Sequence, residues 1–595
     1  MIVLNFIKYA MLKVSFKQFS LLFLGVMLLF FSNNAFADFN PGIITGKVLD
    51  SETGEVLRSA TVFVVGTKIG GRTDVTGEFK IKNIPPGTYN VRVSYVGYTA
   101  KEITGVEIKP GQTTNLTEIL LTPQISQTKE VVVQADRIMD SQASILAVRK
   151  NAEQVSDGIS AEEIKKTTDS DAGQSLRRVS GITLVNDKFI YVRGVSERYS
   201  STMLNGASLA TTEPDKKAFA FDMFPAEFLE FANIAKSFTP DLPGNFAGGL
   251  VQLNTIDFPQ GYSLKLSISQ SFNDNVTLKD RGFISYSGAS SDWLGYDNGF
   301  RSMPGDIPAS KSVMDKLLYY DIKSASVSDD ERYAAQQKWI NLGKEFNDNS
   351  WKRDTLAAPL SGTYKLSYTD IYQIAGNDFG LIASGMYSGG YSSNSLSRAV
   401  LYYSNGDMKF HGDGIQSTYS TGIGGILNFA YKIGEANAIS FKNTYNNTSD
   451  NEIISITGKK EETFLKQMSF DFVQKTLLAS QLHGEHLLPF LQNSTLNWNL
   501  GYSLSKRYQP DFRRLRYSRN DTTQPYRIDI GDNPQGNGTM AGRFYSDLNE
   551  NAYSGGLNII LPLSDAKIKF GGLYEAKTRD FVVRSFTIIK SYAVA

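Results

Sequence analysis

The second half of the chain alternates between apolar and polar residues at the period of a β-strand. Runs such as 264–272 and 496–504 place every second residue in an apolar phase. Two more runs, 427–433 and 439–445, flank Gly434–Asn437, which has the length of a hairpin turn. Since successive side chains of a strand point to opposite faces, this pattern predicts antiparallel strands with one apolar and one polar face.

The connections between these strands are of two kinds. Short turns lie on one side, whereas the polar stretches 273–357, 446–463 and 507–549 are predicted to be long loops on the other. This asymmetry, with Phe and Tyr at many strand ends, is typical of outer-membrane β-barrels. A soluble β-sandwich is the alternative, but the aromatic strand ends favour the barrel.

Residues 42–122 contain short β-branched or alternating runs separated by turn signals. The turns are predicted at Ser51–Gly54, Gly70–Gly71, Pro85–Gly87 and Lys109–Gly111. Short strands at this spacing predict a small β-sandwich.

Four segments of this region resemble the carboxypeptidase-regulatory-like domain: Gly46–Asp50, Asp74–Phe79, Pro86–Tyr89 and Ser94–Tyr98. The resemblance implies a transthyretin-like fold without catalysis of its own, over residues 38–123. A generic immunoglobulin-like sandwich is the alternative.

The first 37 residues have the organisation of a secretory signal. Lys8, Lys13 and Lys17 precede the apolar run Leu21–Phe31, and Ala35 and Ala37 form an A-x-A cleavage pattern. The run is too short for a membrane-spanning helix, which needs roughly 20 apolar residues. We therefore expect export, with a signal peptide over residues 1–37.

Composition argues against several classes of function. A net charge of +1 gives no basic field for nucleic acid, and the absence of Cys excludes disulfides and thiolate sites. His483 and His486 are three residues apart on a predicted strand, so their rings are expected on opposite faces. No catalytic motif occurs, and we expect no enzyme activity, no metal site and no cofactor.

Residues 152–257 carry several landmarks of one domain family. Ser160–Glu163 is a capping-box pattern, and Asn186–Asp187 is a hairpin signal. Val192–Gly194, Met203–Gly206 and Ala247–Thr255 resemble the plug domain of TonB-dependent receptors. The resemblance implies an α+β plug inside a barrel formed by residues 258–595.

One position departs from the family pattern. An acidic residue usually stands shortly before the basic residue that corresponds to Lys236, and here Asn233 stands there. We expect this change to weaken any salt bridge in that segment.

The expected fold class is therefore mainly β: a transthyretin- or Ig-like sandwich, an α+β plug and at least part of an antiparallel transmembrane barrel.

Residues 124–151 form the expected linker. By resemblance to the family, the linker holds the TonB box, at Glu130, Val131, Val132, Val133, Gln134 and Ala135. Three consecutive Val can pair as an added strand with a partner sheet. The alternative is that these Val residues are the last strand of the preceding sandwich.

The resemblance implies a receptor of the bacterial outer membrane, with a periplasmic N-terminal domain and barrel contacts to lipid and lipopolysaccharide. Such receptors import a scarce solute with energy supplied by TonB, ExbB and ExbD. By position, the expected ligand contacts are Arg193, Thr211, Thr212, Glu213 and Asp215. A structural pair with a barrel carboxylate is the alternative role for Arg193.

Other interpretations stay open at this point. The barrel could act as an adhesin or assembly platform without transport, or as a sensor, although the sensor would need a further βαβ domain. Siderophores, carbohydrates and other solutes stay open as cargoes. About nine strands are predicted, against about 22 in plugged transporters, which suggests an N-terminal fragment of a longer receptor.

Overall fold

A computed structural model gives the fold of this chain. It describes residues 41–122, 142–308, 328–346, 351–402, 408–530 and 541–588, apart from a few positions within those ranges (52–53, 59, 66, 68, 75, 96–97, 99, 168, 170, 260, 435 and 564–565). The chain divides into two compact units, residues 1–136 and residues 137–595.

The first unit is a sandwich of two small sheets. Its strands are β1 (Gly42–Asp50), β2 (Thr61–Val64), β3 (Gly70–Arg72), β4 (Glu78–Ile84), β5 (Gly87–Ser94), β6 (Lys101–Ile108) and β7 (Thr113–Leu121). One sheet has the order β4-β1-β7 and the other β3-β2-β5-β6, with β1 and β7 parallel. Alternating residues such as Ile44, Val62, Val91 and Ile119 fill the space between them, because each strand presents one face to the core.

Two parts of this unit differ from the expectation. Gly70 and Gly71 were predicted as a turn but belong to β3, where Gly71 pairs with Val62. Strand β6 was not predicted at all. Its inward positions are few, with Val106 and Ile108 buried near one end, so the run lacks a sustained apolar phase.

The second unit begins with a compact domain, residues 142–255, which we call the inner domain. Its helices are α1 (Gln142–Asn151), α2 (Ala161–Lys165) and α3 (Ala172–Leu176). Its strands are β8 (Ser156–Ser160), β9 (Ile182–Val185), β10 (Phe189–Val192), β11 (Ser200–Leu204), β12 (Ala207–Ser208), β13 (Leu229–Ala235) and β14 (Gly249–Thr255). Five of the strands form one sheet, in the order β12-β11-β14-β13-β8.

Local sequence signals account for much of the inner domain. Ser160 and Glu163 form the predicted capping box at the start of α2. The hairpin between β9 and β10 turns at Asn186 and Asp187, both with positive φ, a conformation that Asn and Asp tolerate better than most residues. These two predictions are confirmed.

The remaining strands form one large antiparallel sheet, which we call the strand wall. In order along the sheet they are β15 (Ser263–Ser271), β18 (Ser361–Ile374), β19 (Asn377–Leu401), β20 (Met408–Ile433), β21 (Asn437–Lys460), β22 (Thr463–Leu488), β23 (Ser494–Arg519), β25 (Gly542–Pro562) and β26 (Lys567–Thr587). A short strand, β24 (Arg527–Ile528), pairs with β23 off this path. The predicted hairpin across 434–437 joins β20 to β21.

The two faces of the wall differ as the alternation predicts. Ile382, Ile426 and Leu477 pack against the core of the inner domain. The opposite phase, including Leu500 and Phe570, is exposed near the short turns. The wall therefore has an inner face, covered by the inner domain, and an outer face with an apolar band.

One predicted loop is wrong, and a second is wrong at both ends. Positions 446–463 continue as β21 through Lys460, and residues 507–519 and 542–549 of the second loop belong to β23 and β25. Strands of 24 to 26 residues extend about 80 Å at 3.3 Å per residue. This length exceeds an apolar band of about 25 Å, and beyond the band both faces are rich in polar residues, so no apolar phase marks the strand.

The predicted long loop at 273–357 is confirmed as the connection between β15 and β18. It contains the paired strands β16 (Phe283–Tyr286) and β17 (Arg353–Leu356) and the helix α4 (Asp329–Lys344). Tyr296 of this connection hydrogen-bonds Tyr445 of β21, whereas the adjacent Asn446 donates to Met223 of the inner domain. Since neighbouring strand residues face opposite ways, this connection covers the outer face of the wall.

Among the helices that the structure describes, none combines the length and apolar character needed to cross a membrane.

Candidate functional site

The most extensive contact between the inner domain and the wall is made by residues 205–216, which we call the contact segment. It begins at the turn between β11 and β12, where Asn205 and Gly206 both have positive φ. Positive φ at both central residues is the requirement of a tight hairpin turn, which explains the Asn-Gly pair. The turn directs the chain that follows along the inner face of the wall.

Wall side chains bind the backbone of the contact segment. Ala210 donates its N–H to the Ser503 hydroxyl at 3.1 Å, and its carbonyl accepts from Ser505 at 3.0 Å. Asn499 donates to the Gly206 carbonyl at 2.8 Å, and Lys577 donates to the Leu209 carbonyl at 3.1 Å. Beyond β12 the segment pairs with no strand among the residues that the structure describes, so these side chains satisfy backbone groups that burial would otherwise leave unpaired.

Lys475 of β22 forms a buried ion-pair cluster with the inner domain. Its Nζ lies 3.1 Å from Glu213 Oε1 and 3.3 Å from Asp222 Oδ2. Burial by itself would raise the pKa of the Glu213 carboxyl, but the neighbouring Lys475 ammonium outweighs it and holds that pKa below its usual value. Glu213 is therefore ionised at neutral pH and paired to the wall.

A second pair lies beside this cluster on β25 and β26. Glu550 accepts from Arg579 Nε at 2.5 Å and from the Thr211 backbone N–H at 3.0 Å. The two Arg579 Nη atoms reach the carbonyls of Glu213, Pro214 and Lys216 at 3.3 to 3.4 Å. Glu550 thus orients the guanidinium that holds the end of the contact segment.

Two further ion pairs join the two parts of this unit. Asp241 pairs with Lys569 at 2.5 Å, and Asp257, just after β14, pairs with Lys442. In both pairs, as in the Lys475 cluster, the lysine belongs to a strand of the wall, and the acid belongs to the part of the chain that precedes the wall. The contact between the inner domain and the inner face of the wall is therefore both apolar and electrostatically complementary.

The structure brings together most of the sequence-predicted ligand residues, all within the contact segment. Thr211 and Thr212 are buried, and their hydroxyls contact the Ala218 carbonyl and the Met223 sulfur, respectively. Glu213 contacts Lys475, whereas Asp215 is exposed. A ligand role for these residues stays a prediction.

Arg193 is placed elsewhere in the inner domain. It has a positive φ, and its guanidinium donates to the Lys236 carbonyl at 3.2 Å. Lys236 pairs with Asp157 of β8 at 3.6 Å, so Lys236 has a salt bridge even though Asn233 replaces the acid expected on its own strand. Asn233 instead donates to Gln252.

Other predicted site residues lie outside the described residues. These are the cleavage residues Ala35 and Ala37 and the predicted TonB box, residues 130–135. Both stay predictions.

Lys475, Glu550 and Arg579 were not singled out from the sequence. Each stands in the polar phase of an alternating strand, and all three face the inner domain. From the sequence, each could be recognised as a charged residue among the positions of its strand that face inward. Its partner could not be predicted, because the sequence does not show which strands become neighbours.

In the part of the chain that the structure describes, no group of three or more His, Asp or Glu side chains is arranged to hold a metal ion. The polar groups of the contact segment bind each other and the wall. The arrangement therefore holds one domain against another.

Two family models match the chain. The model described as the CarboxypepD_reg-like domain matches residues 44–133, and the TonB-dependent Receptor Plug Domain matches residues 148–250. The first match extends through Val133 and so overlaps part of the predicted TonB box. The second begins within α1 and ends at the second residue of β14, so it covers most of the inner domain. No curated protein matches the chain.

Several solved receptors resemble the fold at low identity. The ferric citrate transporter FecA is 10% identical over 74% of this chain and 60% of its own, with a TM-score of 0.31. BauA, the ferric preacinetobactin receptor of Acinetobacter baumannii, is 9% identical over 73% and 60%, with a TM-score of 0.32. The ferric enterobactin receptor PfeA of Pseudomonas aeruginosa is 11% identical over 71% and 62%, with a TM-score of 0.28.

The chain spans about 60% of the length of these receptors. At such identities and scores the two family models, not the individual structures, assign the domains. The chain therefore contains a TonB-dependent receptor plug domain, preceded by a CarboxypepD_reg-like domain.

Proposed function

We propose that this protein imports a scarce solute across the outer membrane, with the inner domain as the plug that blocks and opens the path. The observation that carries the proposal is the position of a plug domain on the inner face of a wall whose outer face bears an apolar band. In lipid, an alternating sheet of this kind presents its apolar phase outward. The inner domain then occupies the polar side, where a solute would pass.

Residues 130–135 are proposed to link the plug to its energy source. The outer membrane has no ATP supply, so the work must come from the inner-membrane proton gradient through TonB, ExbB and ExbD. The run Val131–Val133 suits pairing with the edge of a partner sheet, in which main-chain hydrogen bonds supply the affinity. A pull on this segment is transmitted along the chain through α1 and β8.

The ligand is proposed to bind on the side of the plug where the contact segment ends. Asp215 is exposed there, beside Lys216 and its partner Glu197 at 2.7 Å. Exposed polar groups near an otherwise buried segment would let a bound solute influence the contact between the plug and the wall. The chemistry of the site suits a polar solute without selecting between a sugar and a chelate.

The test is energy-dependent uptake by cells that carry this chain in the outer membrane. Candidate siderophores and oligosaccharides are supplied in labelled form, with and without a protonophore. We expect uptake of one class that the protonophore abolishes. Surface retention without uptake would instead favour an adhesin or assembly role.

A pair of variants tests the TonB contact directly. Val132→Pro removes a backbone N–H and fixes φ, so it should prevent strand pairing, whereas Val132→Thr keeps a β-branched residue. Cross-linking to the periplasmic domain of TonB should be lost in the first variant and retained in the second. Equal cross-linking in both variants would contradict a role for this segment.

A further inference from the structure

A cluster of arginines and aromatic rings lies on the outer face of the wall, on the side opposite to the plug. Arg513 of β23 is its centre, with a fully buried side chain. The guanidinium carbon lies 4.9 Å from the centre of the Tyr286 ring, 5.2 Å from Phe470 and 5.8 Å from Trp351. The charge is therefore enclosed by aromatic rings, two of which, Tyr286 and Trp351, belong to the connection between β15 and β18.

The carboxylate beside Arg513 is shared. Arg513 donates to Asp511 Oδ2 through Nη1 at 2.9 Å. Arg543 donates to both oxygens of the same carboxylate at 2.8 and 2.9 Å, and the Tyr545 hydroxyl donates at 3.1 Å. Asp511 consequently uses its acceptor sites on three donors and contacts only one nitrogen of Arg513.

The other edge of the Arg513 guanidinium lacks a partner. Within the part of the chain that the structure describes, Nε and Nη2 are buried and have no hydrogen-bond acceptor. These two atoms form one edge of the guanidinium, the fork that can donate two parallel hydrogen bonds to the two oxygens of a carboxylate or phosphate. A buried donor pair of this kind is costly unless an anion completes it.

The neighbouring Arg301 shows how such a fork is satisfied in the same cluster. Its Nη1 and Nη2 donate to the two oxygens of Asp292 at 2.7 and 2.6 Å, and Nη1 also reaches Asp297 at 3.0 Å. Its guanidinium lies over Phe472 at 4.2 Å, so it too is enclosed by an aromatic ring. Arg301 has a two-oxygen partner within the chain, whereas the fork of Arg513 does not.

We propose that the Nε–Nη2 edge of Arg513 is a binding site for an oxyanion, the carboxylate or phosphate group of a small ligand. The aromatic rings around Arg513 favour a ligand that carries an apolar group next to its anionic group. Tyr286, which contacts Arg513, also lines a cavity of about 260 Å³ together with Trp293 and Tyr391. The site lies on the outer face, so it is separate from the plug and independent of the proposed import.

Binding of benzoate and of inorganic phosphate to the full chain in detergent tests this site, by calorimetric titration at constant ionic strength set with chloride. We expect saturable binding of at least one of the two anions. Preference for benzoate identifies an aromatic carboxylate site, and preference for phosphate identifies a phosphate site. Absence of saturable binding for both would overturn the proposal.

Two conservative variants locate the site. Arg513→Lys keeps the charge but removes the fork, and we expect affinity to fall by about tenfold or more. Arg516→Lys is the matched control, because Arg516 lies on the same strand and already pairs with Asp529 at 2.6 Å. Equal losses in both variants would show nonspecific attraction to positive charge and overturn the assignment.

A fluorescence measurement keeps the test valid if Arg513→Lys fails to fold. Trp351 lies beside Arg513 and Trp293 lines the adjoining cavity, and replacement of both by Phe keeps the surroundings aromatic. Benzoate should change the tryptophan emission of the wild-type chain, and this change should be lost in the double variant with Trp293→Phe and Trp351→Phe. A change that persists undiminished in the double variant would place the anion elsewhere and refute the site.

Discussion

Replacement of Lys475 by Met should detach the contact segment from the wall. Lys475 and Glu213 expose only 6% and 14% of their side chains, and the ammonium holds both Glu213 and Asp222. Loss of one partner from a buried ion pair typically costs about 3–5 kcal/mol, because the remaining charge stays buried without compensation. The Lys475→Met variant therefore leaves two carboxylates to be desolvated without their cation.

The absence of native Cys gives a direct assay for this detachment. Ala210→Cys places a thiol at a fully buried position of the contact segment. Its reaction with a maleimide then reports how often the segment leaves the wall. At 1.36 kcal/mol per decade, a loss of about 3–5 kcal/mol predicts labelling roughly 150 to 5,000 times faster.

The pH dependence should change sign in the same variant. In the native chain the Glu213 pKa is lowered, so its stabilising contribution is present above the ordinary carboxyl pKa and is lost as the pH falls through the folded value. Without Lys475, the largest influence that lowers the Glu213 pKa is lost, and burial, which raises it, is opposed only by Lys188 and Arg507. We expect the resulting penalty to be largest at neutral pH and to decline on acidification. Mild acid should therefore slow labelling of the Lys475→Met variant by more than it slows labelling of a free thiol at the same pH.

Lys569→Met is the control for a general loss of positive charge from the wall. Its pair with Asp241 exposes 41% and 30% of the two side chains, and such pairs contribute about 0–1 kcal/mol. Labelling should increase by less than about fivefold. A Lys475→Met variant that labels at the wild-type rate would refute the role given to the buried pair.

Three further outcomes follow from the packing. Glu550→Gln should speed labelling of the same thiol by an amount equivalent to about 1–3 kcal/mol, because its partner Arg579 loses a charged acceptor. Gly501→Ala should also loosen the segment, since a Cβ there would lie 2.5 Å from a plug atom, whereas Gly572→Ala has open space and should label like the wild type. Ile119→Ala should lower the unfolding free energy of the first unit by about 2–5 kcal/mol, measured by denaturant titration, and leave labelling unchanged.

The sequence predicted the elements whose determinants are local. The capping box at Ser160 and the hairpin at Asn186 depend on a few adjacent residues, and both occur as expected. The apolar phase likewise identified the outer face of the wall. Where polar residues occupy both faces, as beyond Asn446 of β21, pairing with neighbouring strands decides the structure and the local pattern carries no signal.

The partners of the contact segment could not be predicted from local sequence. Thr211 and Glu213 could be noted from a motif, but their partners Glu550 and Lys475 are more than 260 residues away in sequence. Which strands become neighbours is set by the order of hairpins in the wall. A charged residue in an inward phase can therefore be recognised from the sequence, although its partner cannot.

The contacts between the inner domain and the wall determine how much free energy the proposed import would need to release the plug. Among the described residues, the buried apolar side chains that the wall contributes to the shared core are Ile382, Ile426, Leu477 and Ala479, with Met386 partly buried beside them. Exposure of the three larger buried side chains would cost about 5–9 kcal/mol at 1.5–3 kcal/mol each. One elementary charge moved through 100 mV supplies about 2.3 kcal/mol, so a few protons could release this part of the contact. The polar contacts add a smaller net cost, because water replaces each partner that is lost. A plug held by a small apolar contact and by polar contacts that water can replace is thus stable at rest and can still be displaced by a modest number of protons.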